Sequence, residues 1–331
     1  MIKHPNKRLI YQISFFILFA LTPVLDIFRL DLNQGHFVVF GHDLKLNLNE
    51  LIEQQVGAVD MAIRIATRIL LPIVLAVVIF LLIAWRWGRL YCGWLCPHFT
   101  VVEYINTFMR KATGKPSLWE PKLPEYQLDG TVATTNAWWW IPTIIMIVLF
   151  AFTWAILALT YLITPAEIYH NLWDVNFTRN QTLFIFAVTL GFIVEFTFAR
   201  HLFCRYACAV GIFQSLAWMG NKKAMVVGFD SRRAKECKDC DKSCEHACPM
   251  RIKPRAIKRK IFTCTQCFEC INACSRVQEV NHKPPLLKLL IDDCALDKSK
   301  RDFGKKVDIP AHCFEVNDNG DLCITIWRKK K

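Results

Sequence analysis

Four apolar stretches constrain this chain more than any other feature, because each is long enough to cross a bilayer and none can be left in water. A transmembrane helix needs about 20 residues at about 1.5 Å rise each. Ile10 to Phe28, Ile69 to Trp85, Trp138 to Ile163 and Thr182 to Phe198 meet that need, the second and fourth with the help of their aromatic flanks. Near Arg200 the 331-residue chain changes character, from long apolar runs to a charged, cysteine-dense segment, and the change reads as a passage from lipid to water. Lys3, Lys7 and Arg8 precede the first span, Arg86, Arg89, Arg110, Lys111, Lys115 and Lys122 lie between the second and third, and Arg200, Arg205, Lys222, Lys223, Arg232 and Arg233 follow the fourth. By the positive-inside rule both termini are expected to be cytoplasmic, in a multi-pass protein of the cell's inner membrane. The basic start followed by Leu9 to Leu25 has the outline of a signal peptide, but no small-residue cleavage site follows, so it is expected to remain as an anchor.

The formal net charge of +13 raises the question of nucleic acid. No helix-turn-helix, zinc-finger or RNA-binding signature accompanies the charge, and juxtamembrane basicity facing membrane lipid accounts for it; no nucleic-acid partner is expected. The loop from Arg29 to Arg68 carries Asp31, Asp43, Glu50, Glu53 and Asp60 with few lysines and is expected outside. Within it, Leu51, Ile52, Val56, Val59 and Ile63 recur at helical spacing, which suggests a helix resting on the outer interface, with a plain solvated loop as the alternative. Trp138, Trp139 and Trp140 open the third span as an aromatic belt. Glu195 lies inside the fourth span, where an ionisable group marks a proton path or polar partner, or snorkels to the nearby cytoplasmic end.

Fifteen cysteines in a small secreted chain would suggest disulfides, yet most stand here in tight runs within a lysine-rich segment, which is ligand spacing and suits a reducing compartment. Cys237, Cys240, Cys244 and Cys248-Pro249 are followed by Cys264, Cys267, Cys270 and Cys274. Short C-x2-C turns let successive thiolates reach three corners of one cubane, and in two-cluster ferredoxins the fourth cysteine of each run crosses to the other cluster. The expected ligand sets for two [4Fe-4S] clusters are therefore Cys237, Cys240, Cys244 and Cys274 for one, and Cys264, Cys267, Cys270 and Cys248 for the other. Crossed ligation holds the two clusters close, as rapid electron hopping requires. Zinc is the competing reading, but paired C-x2-C zinc sites usually separate their pairs by a longer interval. The first run has three residues between Cys240 and Cys244 where two are usual, and Ser275 stands where a proline often does. The basic strip of Arg251, Lys253, Arg255, Lys258, Arg259 and Lys260 between the runs could offset cluster charge, grip an acidic partner or anionic lipid, or simply face solvent.

Tyr91-Cys92-Gly93-Trp94-Leu95-Cys96-Pro97 follows the second span and Phe203-Cys204-Arg205-Tyr206-Ala207-Cys208-Ala209 follows the fourth, so two helical hairpins are duplicated in tandem with a Cys-x3-Cys pair at the cytoplasmic rim of each. On a helix, i and i+4 share a face. If the hairpins pack pseudo-symmetrically, Cys92, Cys96, Cys204 and Cys208 could converge. These are the candidate catalytic residues: soft thiolates suit copper(I) or a further thiolate-bound cluster, a dithiol can cycle to a disulfide, and buried cysteines can also be mere small apolar residues. Arg89, His98 and His201 stand beside them, where a cation would stabilise a thiolate. Cys294, Cys313 and Cys323 share no short spacing and are expected to be structural or free.

The Gly88 to Pro97 segment, the second Cys-x3-Cys and the double ferredoxin run together resemble the membrane polyferredoxins that include CcoG/FixG, NapH and the membrane half of NosR. The resemblance covers about Ile10 to Arg276. Four spans with the ferredoxin module directly after them look most like NapH, while Pro23 to Gly41 and Gly88 to Pro97 look more like CcoG. The extra span and immunoglobulin-like domain of CcoG and the flavin domain of NosR have no counterpart here, and Ala209 replaces the proline expected after Cys208. The family implies quinol-linked electron delivery to a respiratory reductase, or copper reduction in cytochrome oxidase assembly. The expected architecture is membrane all-α, with about four transmembrane helices in two tandem hairpins over 1–220, an α+β two-cluster ferredoxin-like cytoplasmic domain over 221–285, and a C-terminal tail over 286–331. The expected function is a relay of single electrons between a quinone pool or cytoplasmic donor and a redox partner protein. A copper reductase acting through the rim thiols and a redox- or iron-sensing membrane protein are the alternatives, so enzyme status is open between electron transfer and metal reduction.

Overall fold

The computed structural model describes residues 5–32, 36–44, 57–132, 134–238, 240–295 and 311–314. They form two compact units that interleave along the chain. The first unit takes the described residues of 1–12, 81–140 and 200–331, and the second those of 13–80 and 141–199.

In the second unit, α1 (Pro5–Leu21) enters from the first unit's segment and stops at Leu21, seven residues short of the expected Phe28. The turn that holds Pro23 redirects the chain, and β1 (Phe28–Asp31), β2 (His36–Val39) and β3 (His42–Leu44) form a small antiparallel meander instead, with Phe28 opposite Val39 and Val39 opposite His42. The amides of Leu30 and Leu32 donate to the carbonyls of Tyr161 and Leu162, which ties β1 to the end of α6 (Trp140–Thr160). Thr143, Ile147, Ala151, Ala155 and Leu159 of α6 are buried at four-residue intervals, one stripe of mostly small side chains that lets neighbours approach. Phe16 and Phe19 of α1 set their rings edge-on to Trp154 at 5.9 and 5.5 Å, and the Tyr161 hydroxyl donates to the Phe19 carbonyl.

The second span begins earlier than expected. Val59 and Ile63 belong to α2 (Ala58–Ile65), which runs through a π-helical turn (Ala66–Leu70) into α3 (Leu71–Trp87), so these two residues start the spanning helix itself and do not lie in a separate interfacial one. Leu51, Ile52 and Val56 of that expectation lie outside the described residues. Among the described residues, three helices are long and apolar enough to cross a membrane: Ala62–Trp87, Ala137–Thr160 and Arg179–Ala199. The apolar part of α1, Arg8–Leu21, is shorter than the other three. None of the most apolar 18-residue window of Ala62–Trp87 is buried in protein, and a bare all-round apolar helix of this length requires lipid as its solvent. The third of these helices, α8 (Arg179–Val194) with its π-turn Glu195–Ala199, starts with a capping box in which Thr178 and Gln181 satisfy each other's amides. Before it, α7 (Pro165–Trp173) opens with Pro165 at the first helical turn.

In the first unit, α4 (Leu90–Trp94) carries Cys92, and α5 (Pro97–Thr113) starts at the proline after Cys96, ends at left-handed Gly114 and places Arg110 and Lys111 on its negative end. Of the three tryptophans read as a belt, Trp138 is exposed, while Trp139 stacks on Phe108 with the Lys111 ammonium 4.3 Å from its ring. A π-turn over Phe203–Ala207 carries Cys204 and leads through Cys208 into α9 (Ala209–Gly220). The core of this unit gathers Phe99, Trp218, Met250, Ile261, Leu287 and Leu290 with the tail cysteines. It includes a two-stranded sheet, β4 (Val226–Phe229) against β5 (Leu287–Leu290), and the short helices α10 (Ser243–His246) and α11 (Glu269–Val280). Cys294 and Cys313 form a disulfide; Cys323 lies outside the described residues.

Asp31 is nearly inaccessible and holds the Arg29 guanidinium at 2.8 Å while accepting from the Thr164 hydroxyl at 3.1 Å. Asp31→Ala leaves a buried guanidinium with only Asp26 and is expected to cost about 3 kcal/mol, read as a lowered unfolding midpoint in detergent; an unchanged midpoint would contradict the meander's anchoring role.

Candidate functional site

The eight cysteines of the two tail runs line two cavities. Cys248, Cys264, Cys267 and Cys270 line one, with Val227, Met250, Ile252, Pro254, Ile261 and Phe268 around them. Cys237, Cys240, Cys244 and Cys274 line the other, with Phe229, Val277 and Leu287. Each cavity takes three cysteines from one run and the fourth from the other. The crossing follows from α11, which carries Cys270 in its first turn and Cys274 one turn later, and from the chain after α10, which carries Cys248 away from Cys244. Lys242 and Phe268 each stand two residues ahead of the third cysteine of a run, each in the left-handed region as the N-cap of the short helix that follows (φ 65° and 66°). Left-handed backbone at a non-glycine residue is a local cost that clusters at binding loops. Counted back from Cys244 and Cys270 the two runs are alike, and the extra residue of the first is absorbed at Asp241, whose carboxylate accepts from the Ser243 amide and hydroxyl and from the Leu128 amide.

The donors suit a cubane better than a single ion. Among the described residues, no three His, Cys, Asp or Glu side chains gather tightly enough to hold one metal ion. The four thiols of each set instead surround a common space, and backbone amides point at their sulfurs: those of Met250, Arg251 and Ile252 at Cys248, Gln266 at Cys264, Leu286 and Leu287 at Cys274. Amides aimed at thiolate sulfur are a feature of cluster sites. Burial pushes the thiols of Cys244 and Cys264 up to about 12 and that of Cys270 well above the ordinary value, so they keep their protons until a cationic core displaces them. The Arg255 guanidinium partly offsets this rise at Cys237 and Cys244.

The first rim motif is the cradle of one ligand loop. The amide of Arg89 donates to Gln266 Oε1 at 2.8 Å and Trp94 Nε1 donates to the Gln266 carbonyl at 3.0 Å. A Cβ at Gly93 would run into the carbonyl oxygen of Thr265, and Gly88, at φ 75°, leaves room for the Gln266 side chain in the same way. Thr265 and Gln266 are the two residues between Cys264 and Cys267, so this clasp fixes the turn that aims both thiols. The Trp94 ring meets Phe268 edge-on at 5.6 Å, and Arg8 binds the Gly93 carbonyl, Glu103 and Glu269 together. None of these clasp contacts was marked by metal-ligand spacing; the two glycines of the Gly88 to Pro97 segment were the available signal.

Of the rim thiols, Cys92 and Cys204 are buried and Cys96 and Cys208 half-buried. Cys92 accepts from Gln214 Nε2 at 3.4 Å and from Arg89 Nη2 at 3.8 Å, while the same guanidinium nitrogen donates to the Cys204 carbonyl at 2.9 Å. Cys208 lies close enough to Cys92 and Cys96 to disfavour their thiolates, and the Cys204 carbonyl accepts from Arg89. Arg89 is thus the cation that reaches a rim thiol. His201 is not: burial lowers it to about 3 and it stays neutral. Half of the basic strip is turned inward, with Arg251 on Glu120, Arg255 on Glu245, and Lys258 beneath the Trp218 ring, donating to the carbonyls of Trp218 and Asn221, whereas Lys253, Arg259 and Lys260 are exposed.

A family model described as a 4Fe-4S binding domain matches residues 69–116 and 181–224. The two matched segments are the duplicated hairpins with their Cys-x3-Cys pairs, and the eight tail cysteines lie outside them. The regulatory protein NosR of Pseudomonas aeruginosa is 27% identical over 203 residues, 61% of this chain and 25% of that protein. The putative electron transport protein YccM of Escherichia coli is 27% identical over 204 residues, 60% of this chain and 52% of that protein. The ferredoxin-type protein NapH of Escherichia coli is 23% identical over 218 residues, 60% of this chain and 64% of that protein. This chain therefore spans about a quarter of the length of NosR. No solved structure matches. By these comparisons the chain is similar to NosR, YccM and NapH and carries two segments that match a 4Fe-4S binding domain, beside helices apolar enough to cross a membrane.

Because the folded state keeps His201 neutral while the unfolded chain protonates it near 6.5, stability falls as pH drops below 6.5. The loss from this residue between pH 6.5 and 5 is expected to be about 1.5 kcal/mol, and His201→Gln should flatten that part of the curve of unfolding temperature against pH. An unchanged slope would contradict the assignment.

Proposed function

We propose that this chain is a membrane-bound iron-sulfur protein that passes single electrons between a membrane or cytoplasmic donor, such as a quinone pool, and a redox partner. One observation carries the reading: the fold divides eight cysteines into two crossed sets of four, each around its own cavity. Cys237, Cys240, Cys244 and Cys274 would hold one [4Fe-4S] cluster and Cys248, Cys264, Cys267 and Cys270 the other. Such clusters supply one-electron redox chemistry, tuned by hydrogen bonds to sulfur and by exposure. The protein's own contribution is placement. All four thiols of the second set are buried among apolar side chains, which excludes water, whereas Cys237, Cys240 and Cys274 of the first are half-buried and nearer the surface. The rim clasp sets the second cavity against Cys92 and Arg89, so the order rim, second cavity, first cavity, solvent is the proposed path. In this reading α1 is the fourth membrane helix, both termini are cytoplasmic, and the membrane is the inner one.

Anaerobic purification in detergent should return about eight irons and eight sulfides per chain, and the dithionite-reduced protein should show a spin-coupled two-cluster EPR signal. Zinc in place of iron, with no such signal, would contradict the proposal. Gly93→Ala should displace the Cys264 to Cys267 turn and about halve the iron, leaving the uncoupled signal of one cluster; a full complement of iron in that variant would contradict the role assigned to the clasp.

A further inference from the structure

Of the cations that sequence spacing offered for partner binding, Arg251, Arg255 and Lys258 are engaged internally while Lys253, Arg259 and Lys260 are exposed, and a second set of exposed lysines stands on the segment of the first cysteine run. Lys235, Lys238 and Lys242 are exposed on the segment that carries Cys237 and Cys240, and none makes an ion pair or side-chain hydrogen bond among the described residues. The neighbouring acids are engaged: Glu236 is held by Arg233 at 2.7 Å, Glu245 by Arg255 at 2.6 Å, and Asp241 by Ser243 and the Leu128 amide. Asp239 is the other acid of the segment and lies outside the described residues. Lys242 also lines the first cavity, so one of the three lysines stands at its wall. Asp230 and Arg232, farther up the chain, pair with each other.

Resting on the cluster reading above, we infer that the Lys235–Lys242 segment is the docking surface for a water-soluble, acidic one-electron carrier protein, which exchanges its electron with the cluster held by Cys237, Cys240, Cys244 and Cys274. Three features of the segment point to a carrier and not to a purely structural loop. The thiols there are the half-buried ones, so a docked redox centre comes closest at this point. The lysines bracket the cysteines in sequence, which surrounds the shortest path with positive charge. Their lack of partners among the described residues leaves that charge available, and exposed charge of one sign acts mainly on encounter rate. The exchange balances simply: one electron leaves the carrier's centre and one arrives in the first cavity, with no bond made or broken and no proton required.

The test uses the iron-loaded 331-residue chain in detergent, with a reduced plant-type [2Fe-2S] ferredoxin as the acidic probe and a monosulfonated viologen radical, whose net charge is zero, as the uncharged control, followed by stopped-flow absorbance. The ferredoxin rate constant should fall about tenfold or more between about 20 mM and about 300 mM salt, and the viologen rate should stay level. Lys235→Glu/Lys238→Glu, which spares the cavity-lining Lys242, should lower the low-salt ferredoxin rate about tenfold and flatten its salt dependence, with iron content and viologen rate unchanged. Lys235→Arg/Lys238→Arg should restore the rate. A ferredoxin rate indifferent to salt and to charge reversal would overturn the inference. So would cosedimentation with phosphatidylglycerol vesicles that is lost in the Glu variant while its ferredoxin rate is kept, since that assigns the lysines to lipid. Failure of the underlying cluster reading is distinct, because it shows as missing iron in the unmodified chain before any rate is measured.

Discussion

The contact on which the rest of the first unit depends is the seating of Thr265 and Gln266 on the turn from Gly88 to Trp94. It is made of backbone and amide groups, with two hydrogen bonds to Gln266 and a glycine at the closest approach. Such a contact is intolerant by construction, because backbone cannot move aside as a flexible side chain can. It fixes the direction of Cys264 and Cys267, and through Phe268 it sets the start of α11, which in turn delivers Cys270 to one cavity and Cys274 to the other. The clasp therefore acts on the second set, whose Cys264, Cys267 and Cys270 follow it directly, while Cys237, Cys240 and Cys244 are placed by the other run.

The same turn concentrates buried charge. Arg89 is almost fully buried and serves Cys92 and the Cys204 carbonyl at once, while Arg8 binds two carboxylates and the Gly93 carbonyl. Buried guanidinium groups are costly unless their donors are used, and here they tie helical segments from distant parts of the sequence to one another. The duplicated copy is not treated alike. Its Arg205 and Tyr206, at the positions of Gly93 and Trp94, stack on each other at 5.1 Å, with Tyr206 exposed, so the repeat supplies one hairpin that holds a ligand loop and one that does not. The family match covers both hairpins alike and is silent on this division of labour.

Much of this was legible in the residues. The apolar helices from α3 onward declared themselves through length and hydropathy, and the two cysteine runs through their C-x2-C spacing, while the crossed assignment of their fourth cysteines came from the ligation pattern of two-cluster ferredoxins. What was hidden depended on distance in sequence. That α1 stops at Leu21 reflects the turn at Pro23 and the pairing of β1 with the far end of α6, a contact between residues more than a hundred positions apart. The inward burial of Arg251, Arg255 and Lys258 was invisible because a run of cations looks the same whether it faces water or carbonyl groups. The Cys294 and Cys313 disulfide joins residues with no short spacing, and the clasp joins Gly93 to Thr265.

The central claim is that each cavity is completed by a cysteine from the other run, and Cys274→Ser tests it most directly. EPR and Mössbauer spectra of the reduced variant should show that the cluster altered or lost is the one also disturbed by Cys237→Ser, with the cluster disturbed by Cys264→Ser intact. If Cys274→Ser instead disturbs the cluster that depends on Cys264, each run holds its own cluster, ligation is uncrossed and the central claim fails.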